Sequence, residues 1–260
     1  MRTQNESPQF VIVMPAYNEA ACIAKVVKAW AEVATRHFGM LLVVNDGSRD
    51  NTGDVLNQLV RETSVLRVVH QDNAGHGNAV RNGYEQALKL NPQYVFQTDS
   101  DDQFNPNDFE KLWEARHESP FLLGYREVRH DPLVRIIISR LNAVLLLLLF
   151  GVEIRDANVP FRLMEAKFLG GLLSLVPRGV FIPNIFLAVL AAKSRAVLLE
   201  IPVGHRERKT GVVTLNRRLY EVCQRCFREV RQFRALRSEW EPRLKALPIP
   251  SARPDIAESA

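Results

Sequence analysis

Residues 98–106 read TDSDDQFNP, with Asp99, Asp101 and Asp102 inside four positions. Crowded carboxylates repel, and each raises the pKa of the others. A hard divalent cation offsets that repulsion. Asp99 and Asp101, one residue apart, can reach the same ion, and Gln103 adds a neutral oxygen at the next alternate position. Mg²⁺ or Mn²⁺ held by one or two carboxylates shares its other positions with water and substrate phosphates. The alternative is an Asx-rich turn before a helix, with Asn107 as its N-cap. Asp102 is expected to point away from the ion.

Three further stretches carry polar groups that can serve a ligand. In NDGSRDNTG (45–53), Asp46 can accept hydrogen bonds from a base imide or a ribose hydroxyl, or simply organise a strand-to-helix turn. PAYNE (15–19) has the same two readings. In NAGHGNAVRNG (73–83), Gly75 and Gly77 permit close backbone approach beside a helix N-terminus, suited to phosphate or sugar. His76 between them reads as an exposed loop residue.

The elements that must position these groups alternate regularly. Strands are predicted at 10–15, 41–46, 66–71, 94–99 and 121–125, and helices at 19–36, 51–62, 76–90 and 107–117. Continuous apolar strands alternating with helices mean an α/β fold, with a mainly parallel sheet covered on both faces. Every polar stretch falls at the carboxyl end of a strand, the edge where such sheets bind ligands. After residue 126 the period changes. Helices are expected over 133–150, near 165–174 and over 215–238, with a strand at 196–205 and a polar loop, EIRDANVPFR, at 153–162.

Length and composition bound the rest. The chain has 260 residues, 47% of them apolar, enough for a full core. Its +5 charge is too mild to identify a nucleic-acid binder, and nucleic acid is not expected as a partner. Three cysteines, an odd and low number, fit a reducing compartment without structural disulfides. The N-terminal residues do not read as a signal peptide. The run LNAVLLLLLFGV (141–152) is shorter than the roughly 20 residues a bilayer span needs, so it is a core helix or lies at a membrane surface. Residues 204–243 are rich in Arg and suit anionic lipid or an acidic partner, or form a solvated helix face. The organisation expected is a flexible 1–8, a catalytic domain over 9–212 (donor part 9–126, acceptor part 127–212), a basic amphipathic helix over 213–241 that contacts membrane or another subunit, and a disordered tail over 242–260.

VMPAYNEA, VVNDGSRDNT, NAGHGNAVRNG and TDSDDQFNP, in that order, resemble family 2 glycosyltransferases of the GT-A fold. The resemblance implies inverting transfer of a sugar from a nucleoside diphosphate donor. It implies that Pro15, Tyr17, Glu19 and Asp46 hold the nucleotide, with Gly75 beside them, and that Asp99, Asp101 and Gln103 hold the metal. The acidic loop is most similar to dolichyl-phosphate mannosyltransferase and related polyprenyl-phosphate glycosyltransferases. VRIIISRLN (134–142), DANVPFRLM (156–164) and HRERKTG (205–211) resemble the later motifs of that group, with Val159 and Pro160 in place of the usual Ser-Gly. Many of those relatives also carry a transmembrane pair, of which no counterpart follows residue 215.

In helix 133–150, Arg135, Ser139 and Asn142 stand at i, i+4 and i+7, a polar stripe on a very apolar helix. With Arg126 at the end of the fifth strand, Arg135 and Ser139 can hold a lipid-linked phosphate whose isoprenoid chain lies along Leu and Ile. The alternative is a core helix whose stripe caps nearby loops. Arg208 is expected to stabilise the leaving diphosphate. A phosphate acceptor needs no general base. A saccharide or protein hydroxyl would, and Asp156 is the candidate, its other role being to orient Arg162.

Overall fold

The computed structural model describes residues 7–127, 133–207 and 219–248, with the side chains of 133–139, 219, 220 and 222 outside the description. Among the described residues the strands are β1 (Phe10–Ala16), β2 (Met40–Asp46), β3 (Leu66–Gln71), β4 (Tyr94–Gln97), β5 (Phe121–Arg126), β6 (Arg162–Glu165) and β7 (Leu198–Val203). They form one sheet in the order β3-β2-β1-β4-β6-β5-β7. All neighbours are parallel except β6, which runs antiparallel to β4 and β5. β2 lies on one side of β1 and β4 on the other. The order therefore reverses at β1, and the ends of β1, β2 and β4 border one crevice.

The helices are α1 (Ile23–Arg36), α2 (Thr52–Glu62), α3 (His76–Lys89), α4 (Phe109–Glu114), α5 (Leu133–Phe150), α6 (Ala166–Leu173), α7 (Pro183–Lys193), α8 (Leu219–Ala235) and α9 (Arg237–Lys245). α1 buries Ile23, Val26, Val27, Trp30 and Ala34, the stripe its periodicity calls for. It begins at Ile23 rather than at residue 19. Asn18 takes a left-handed φ of 55°, and the Glu19 carbonyl accepts the amides of Cys22 and Ile23 in a preceding turn. Next to the strands, Phe10 stacks on Phe109, and Phe96 meets Trp30, Phe109 and Phe161.

The structure departs from the sequence reading at four places. β6 lies at the end of the expected polar loop, and Arg162, which pairs with Gln97, is wholly buried. α7 is apolar all round, with Pro183 through Ala191 buried, so no amphipathic period marks it. The tail does not begin at Pro242. That residue lies inside α9, whose Trp240 and Leu244 are buried, while residues 249–260 lie outside the description. The helix expected over 215–238 spans Leu219–Ala235 in the structure and breaks before α9.

Candidate active site

The loops after β1 and β2 are stitched into one wall. Asn18 N–H donates to Ser48 Oγ at 3.0 Å, and Arg49 N–H returns a bond to Asn18 Oδ1 at 2.7 Å. Glu19 N–H donates to Thr52 Oγ1 at 2.8 Å and Ala20 N–H to Asp50 Oδ2 at 3.1 Å. Burial pushes the Asp50 carboxyl up, but the bonds from Thr52 and Ala20 outweigh it and hold the group below the usual carboxylate range. Much of the polarity of PAYNEA and NDGSRDNT thus ties the two loops together. Pro15 is buried beside Val44, Glu19 is buried, and Tyr17 is half-buried on this wall.

Asp46 is braced by the protein around it. Its carboxylate is buried and accepts from Gln71 Nε2 at 2.7 Å, Ala74 N at 2.8 Å and Gly75 N at 3.0 Å. The amide of Gly75, at φ +87°, is therefore engaged by protein. The approach that Gly77 permits is also made by protein: a Cβ there would lie 2.4 Å from the Val180 carbonyl oxygen and 2.6 Å from that of Phe181. Above Gly75 the turn is open, and a Cβ there would meet nothing within 4 Å. His76 stays open to solvent. The surrounding protein lowers its imidazole pKa, while Asp101 and Asp46 pull the other way.

The acidic loop follows β4. Asp99 and Asp101 are half-buried. Asp102 takes a φ of 59° and turns its carboxylate onto Lys25. Gln103 is knitted to the stretch after β7, its carbonyl accepting Arg206 N at 2.8 Å and its Nε2 donating to Arg206 O at 3.1 Å. That stretch leads directly toward Arg208, which lies outside the described residues. The N-cap of the next turn is Asn105, whose side chain accepts Asn107 N at 3.2 Å, rather than Asn107. Among the described residues no three His, Cys, Asp or Glu side chains form a closed ligand set. The donors on the loop, Asp99 and Asp101, are hard carboxylates, the kind of set that holds Mg²⁺ or Mn²⁺ with positions left for phosphate oxygens and water.

On the other side of β4, Arg126 ends β5. Its Nε donates to Asp156 Oδ2 at 2.7 Å and its Nη2 to Asp156 Oδ1 at 3.0 Å. The expected pairing of Asp156 with Arg162 is thus replaced by one with Arg126. Arg162 instead donates to the carbonyls of Ala157, Val159 and Asn184. Burial lowers its pKa against the fields of Tyr84, Asp156 and Asp99. Behind it, Tyr84 Oη donates to Gln97 Oε1 at 2.5 Å and lies 3.3 Å from Asn184 Oδ1. Periodicity gave no notice of this buried network, and a lone Asn in the apolar run of α7 is its one sequence trace. Arg135 and Ser139 fall on α5, their side chains outside the description.

A family model described as glycosyl transferase family 2 matches residues 11–143. The undecaprenyl-phosphate 4-deoxy-4-formamido-L-arabinose transferase of Shewanella sediminis is 28% identical over 214 residues, covering 80% of this chain and 62% of that protein. The chain thus spans less than two thirds of that relative's length. The polyprenol monophosphomannose synthase of Mycolicibacterium smegmatis is 26% identical over 219 residues, covering 81% of this chain and 82% of that protein. Among solved structures, glucosyl-3-phosphoglycerate synthase from Mycobacterium tuberculosis in complex with UDP superposes with a TM-score of 0.63 at 17% identity, covering 88% of this chain and 80% of that one. The same enzyme in complex with Mn²⁺ and UDP-glucose gives a TM-score of 0.60 at 16% identity, with coverages of 88% and 79%. The four stretches at the strand ends, the GT-A sheet that aligns them and a match over half the chain agree: the protein is a glycosyltransferase of family 2.

Proposed function

We propose that the protein moves a hexose from a UDP- or GDP-linked sugar to a polyprenyl phosphate of dolichyl or undecaprenyl type, with inversion, at the cytoplasmic face of a membrane. One observation carries the choice of acceptor. Asp156, the candidate general base, has both oxygens engaged by Arg126 and is 5% exposed. A hydroxyl acceptor needs a base to take its proton. An ionised phosphate does not, and the arrangement suits it. The two relatives named for polyprenyl-phosphate chemistry support the same reading.

In this mechanism the wall formed by Pro15, Tyr17 and Glu19 holds the nucleotide, with the Asp46-braced turn at its edge. Asp99 and Asp101, with Gln103 adjacent, would hold Mg²⁺ or Mn²⁺, which would supply charge neutralisation for the leaving diphosphate. Arg208 is assigned to stabilise the same leaving group. Asp156 aims Arg126 toward the acceptor phosphate, which Arg135 and Ser139 are assigned to bind as well. An acceptor phosphate oxygen attacks the anomeric carbon as the bond to the diphosphate breaks.

α5 supports a membrane setting. Leu141 is 63% exposed, Val144 54%, Leu147 49% and Leu148 74%, a stripe of large apolar side chains open to solvent. Phe227 on α8 is exposed too, beside Arg228, Arg231 and Arg234. Phe150 and Phe233, 6.0 Å apart, join the two helices. Among the described residues no helix is long and apolar enough to cross a membrane. Apolar side chains flanked by cations bind an anionic interface reversibly.

The test is initial rate with a panel of UDP- and GDP-sugars, undecaprenyl phosphate or a saccharide as acceptor, and Mn²⁺ or chelator. Transfer to the lipid phosphate alone, lost on chelation, is expected. Transfer only to the saccharide overturns the acceptor assignment.

A further inference from the structure

α3 and α7 pack against each other, Tyr84 of α3 reaching Asn184 at the start of α7, and neither helix has a side-chain cap from its own N-cap residue. Gly75 has no side chain to offer α3, and Ile182 makes no side-chain cap for α7. Amides at a helix N-terminus have no partner within the helix. Here a carboxylate from a distant element takes the amides of each N-cap residue and the residue before it. Asp46 of β2 accepts Ala74 N and Gly75 N at α3. Glu229 of α8 accepts Phe181 N at 2.8 Å and 3.0 Å, and Ile182 N at 3.4 Å, at α7.

Between these ends runs the strap Gly179–Ile182. Its Val180 and Phe181 carbonyls sit so close to Gly77 that a single added Cβ would clash with both. Two residues before Gly77 is Gly75, whose amide belongs to the Asp46-braced turn. The strap is gripped from the far side as well. Arg225 Nε donates to Glu229 Oε1 at 3.0 Å, and its guanidinium lies 4.9 Å over the Phe181 ring. The Glu229 side chain is 11% exposed, so its charge is directed inward at these donors.

We infer that Glu229 is a positioning residue for the donor side of the cleft. From α8 it holds the strap against the first turn of α3, and the strap fixes the Ala74–Gly75 turn. The inference rests on the nucleotide-sugar reading and adds to it a residue far outside residues 11–143, the span of the family match. It also makes α8 part of the donor site's support rather than a surface helix alone.

Glu229→Ala and the isosteric Glu229→Gln test it, with Arg237→Ala as a control because Arg237 pairs only across α9 with Glu241 in the interactions described. Two readouts are needed: hydrogen exchange at the Ala74 and Gly75 amides in ligand-free protein, and calorimetric affinity for UDP and GDP. Glu229→Ala should speed exchange at both amides and weaken binding of the preferred nucleotide roughly three- to thirtyfold, the size of coupling transmitted through packed elements. Glu229→Gln should do so less, and the control not at all. A folded Glu229→Ala variant with wild-type exchange at these amides overturns the inference. Faster exchange with wild-type nucleotide affinity overturns it too, since the strap would then not act on the site. If the wild-type protein binds neither nucleotide, the nucleotide-sugar reading fails, and the inference falls with it. If only Glu229→Gln folds, the same two readouts on it decide.

Discussion

Arg126 and Asp156 face each other fork to fork, with two N–H···O bonds of 2.7 Å and 3.0 Å between the end of β5 and the loop before β6. The pair is mostly buried, Arg126 at 16% and Asp156 at 5% exposure. Bidentate guanidinium–carboxylate geometry fixes direction as well as energy. Each side chain therefore fixes the other's orientation, and under the proposed acceptor chemistry Asp156 would be a positioning residue and Arg126 the cation it aims.

The first prediction follows from that pair. Asp156→Asn keeps one acceptor oxygen and should retain measurable transfer to a polyprenyl phosphate. Arg126→Ala and Arg135→Ala should lose more. If Asp156 were a general base, its loss would cost about 10²- to 10⁴-fold in rate. Initial rates with donor affinity measured separately decide. A folded, dead Asp156→Asn beside a near-normal Arg135→Ala would favour a hydroxyl acceptor.

Asp101→Asn removes a hard anionic donor from the acidic loop while leaving its volume unchanged. It should cut Mn²⁺-dependent turnover by about 10²-fold or more without shifting the thermal midpoint. Wild-type metal activation in this variant would take Asp101 out of the metal site.

Asp46→Ala strips three hydrogen bonds from the turn after β3. Bonds to a charged group contribute about 1.5–3 kcal/mol each. The variant should lose both stability and nucleotide affinity, and it should lose UDP and GDP affinity in equal proportion, because the carboxylate acts through the turn. A change in base preference, read by calorimetry, would place Asp46 against the base instead.

Asp50 supplies a pH-dependent contribution. Its folded-state pKa lies below the usual carboxylate range, so the folded state favours the ionised form. That stabilisation is present in full above the unfolded pKa and is lost as pH falls through the folded one. Stability of wild type minus Asp50→Ala should therefore be constant from neutral pH to about pH 5 and shrink below about pH 4. A difference that grows on acidification, in denaturant titrations, would contradict the assignment.

On anionic vesicles, Leu141→Asp with Leu148→Asp should weaken binding about tenfold or more, since each exposed Leu can contribute about 1.5–3 kcal/mol on full burial. High salt should weaken the wild type further, through the Arg residues of α8. Salt-insensitive sedimentation, unaltered by the double variant, would assign the stripe to another contact.

Much of this protein is legible in one dimension. The apolar runs at 10–15 and 41–46 read as buried strands and 66–71 as a further, partly exposed one, and the helices between them carried a clear 3.6-residue period. Because each polar motif directly followed a strand, a parallel sheet had to bring them to one edge. The family was readable for the same reason. Side-chain partners were not. Asp46 is far in sequence from Ala74, Asp156 from Arg126 and Glu229 from Phe181, and such pairings exist only once the sheet order is set. α7 hid because a helix buried on every side has no amphipathic signal. β6 hid because four residues, two of them charged (Arg162 and Glu165), do not read as a strand, yet pairing between β4 and β5 buries Arg162 completely and satisfies it with backbone carbonyls. Sequence determined which groups gather at the sheet edge. Tertiary packing decided which of them are spent on holding the loops, because a hydrogen bond between distant residues is a property of geometry and leaves no periodic mark on the chain.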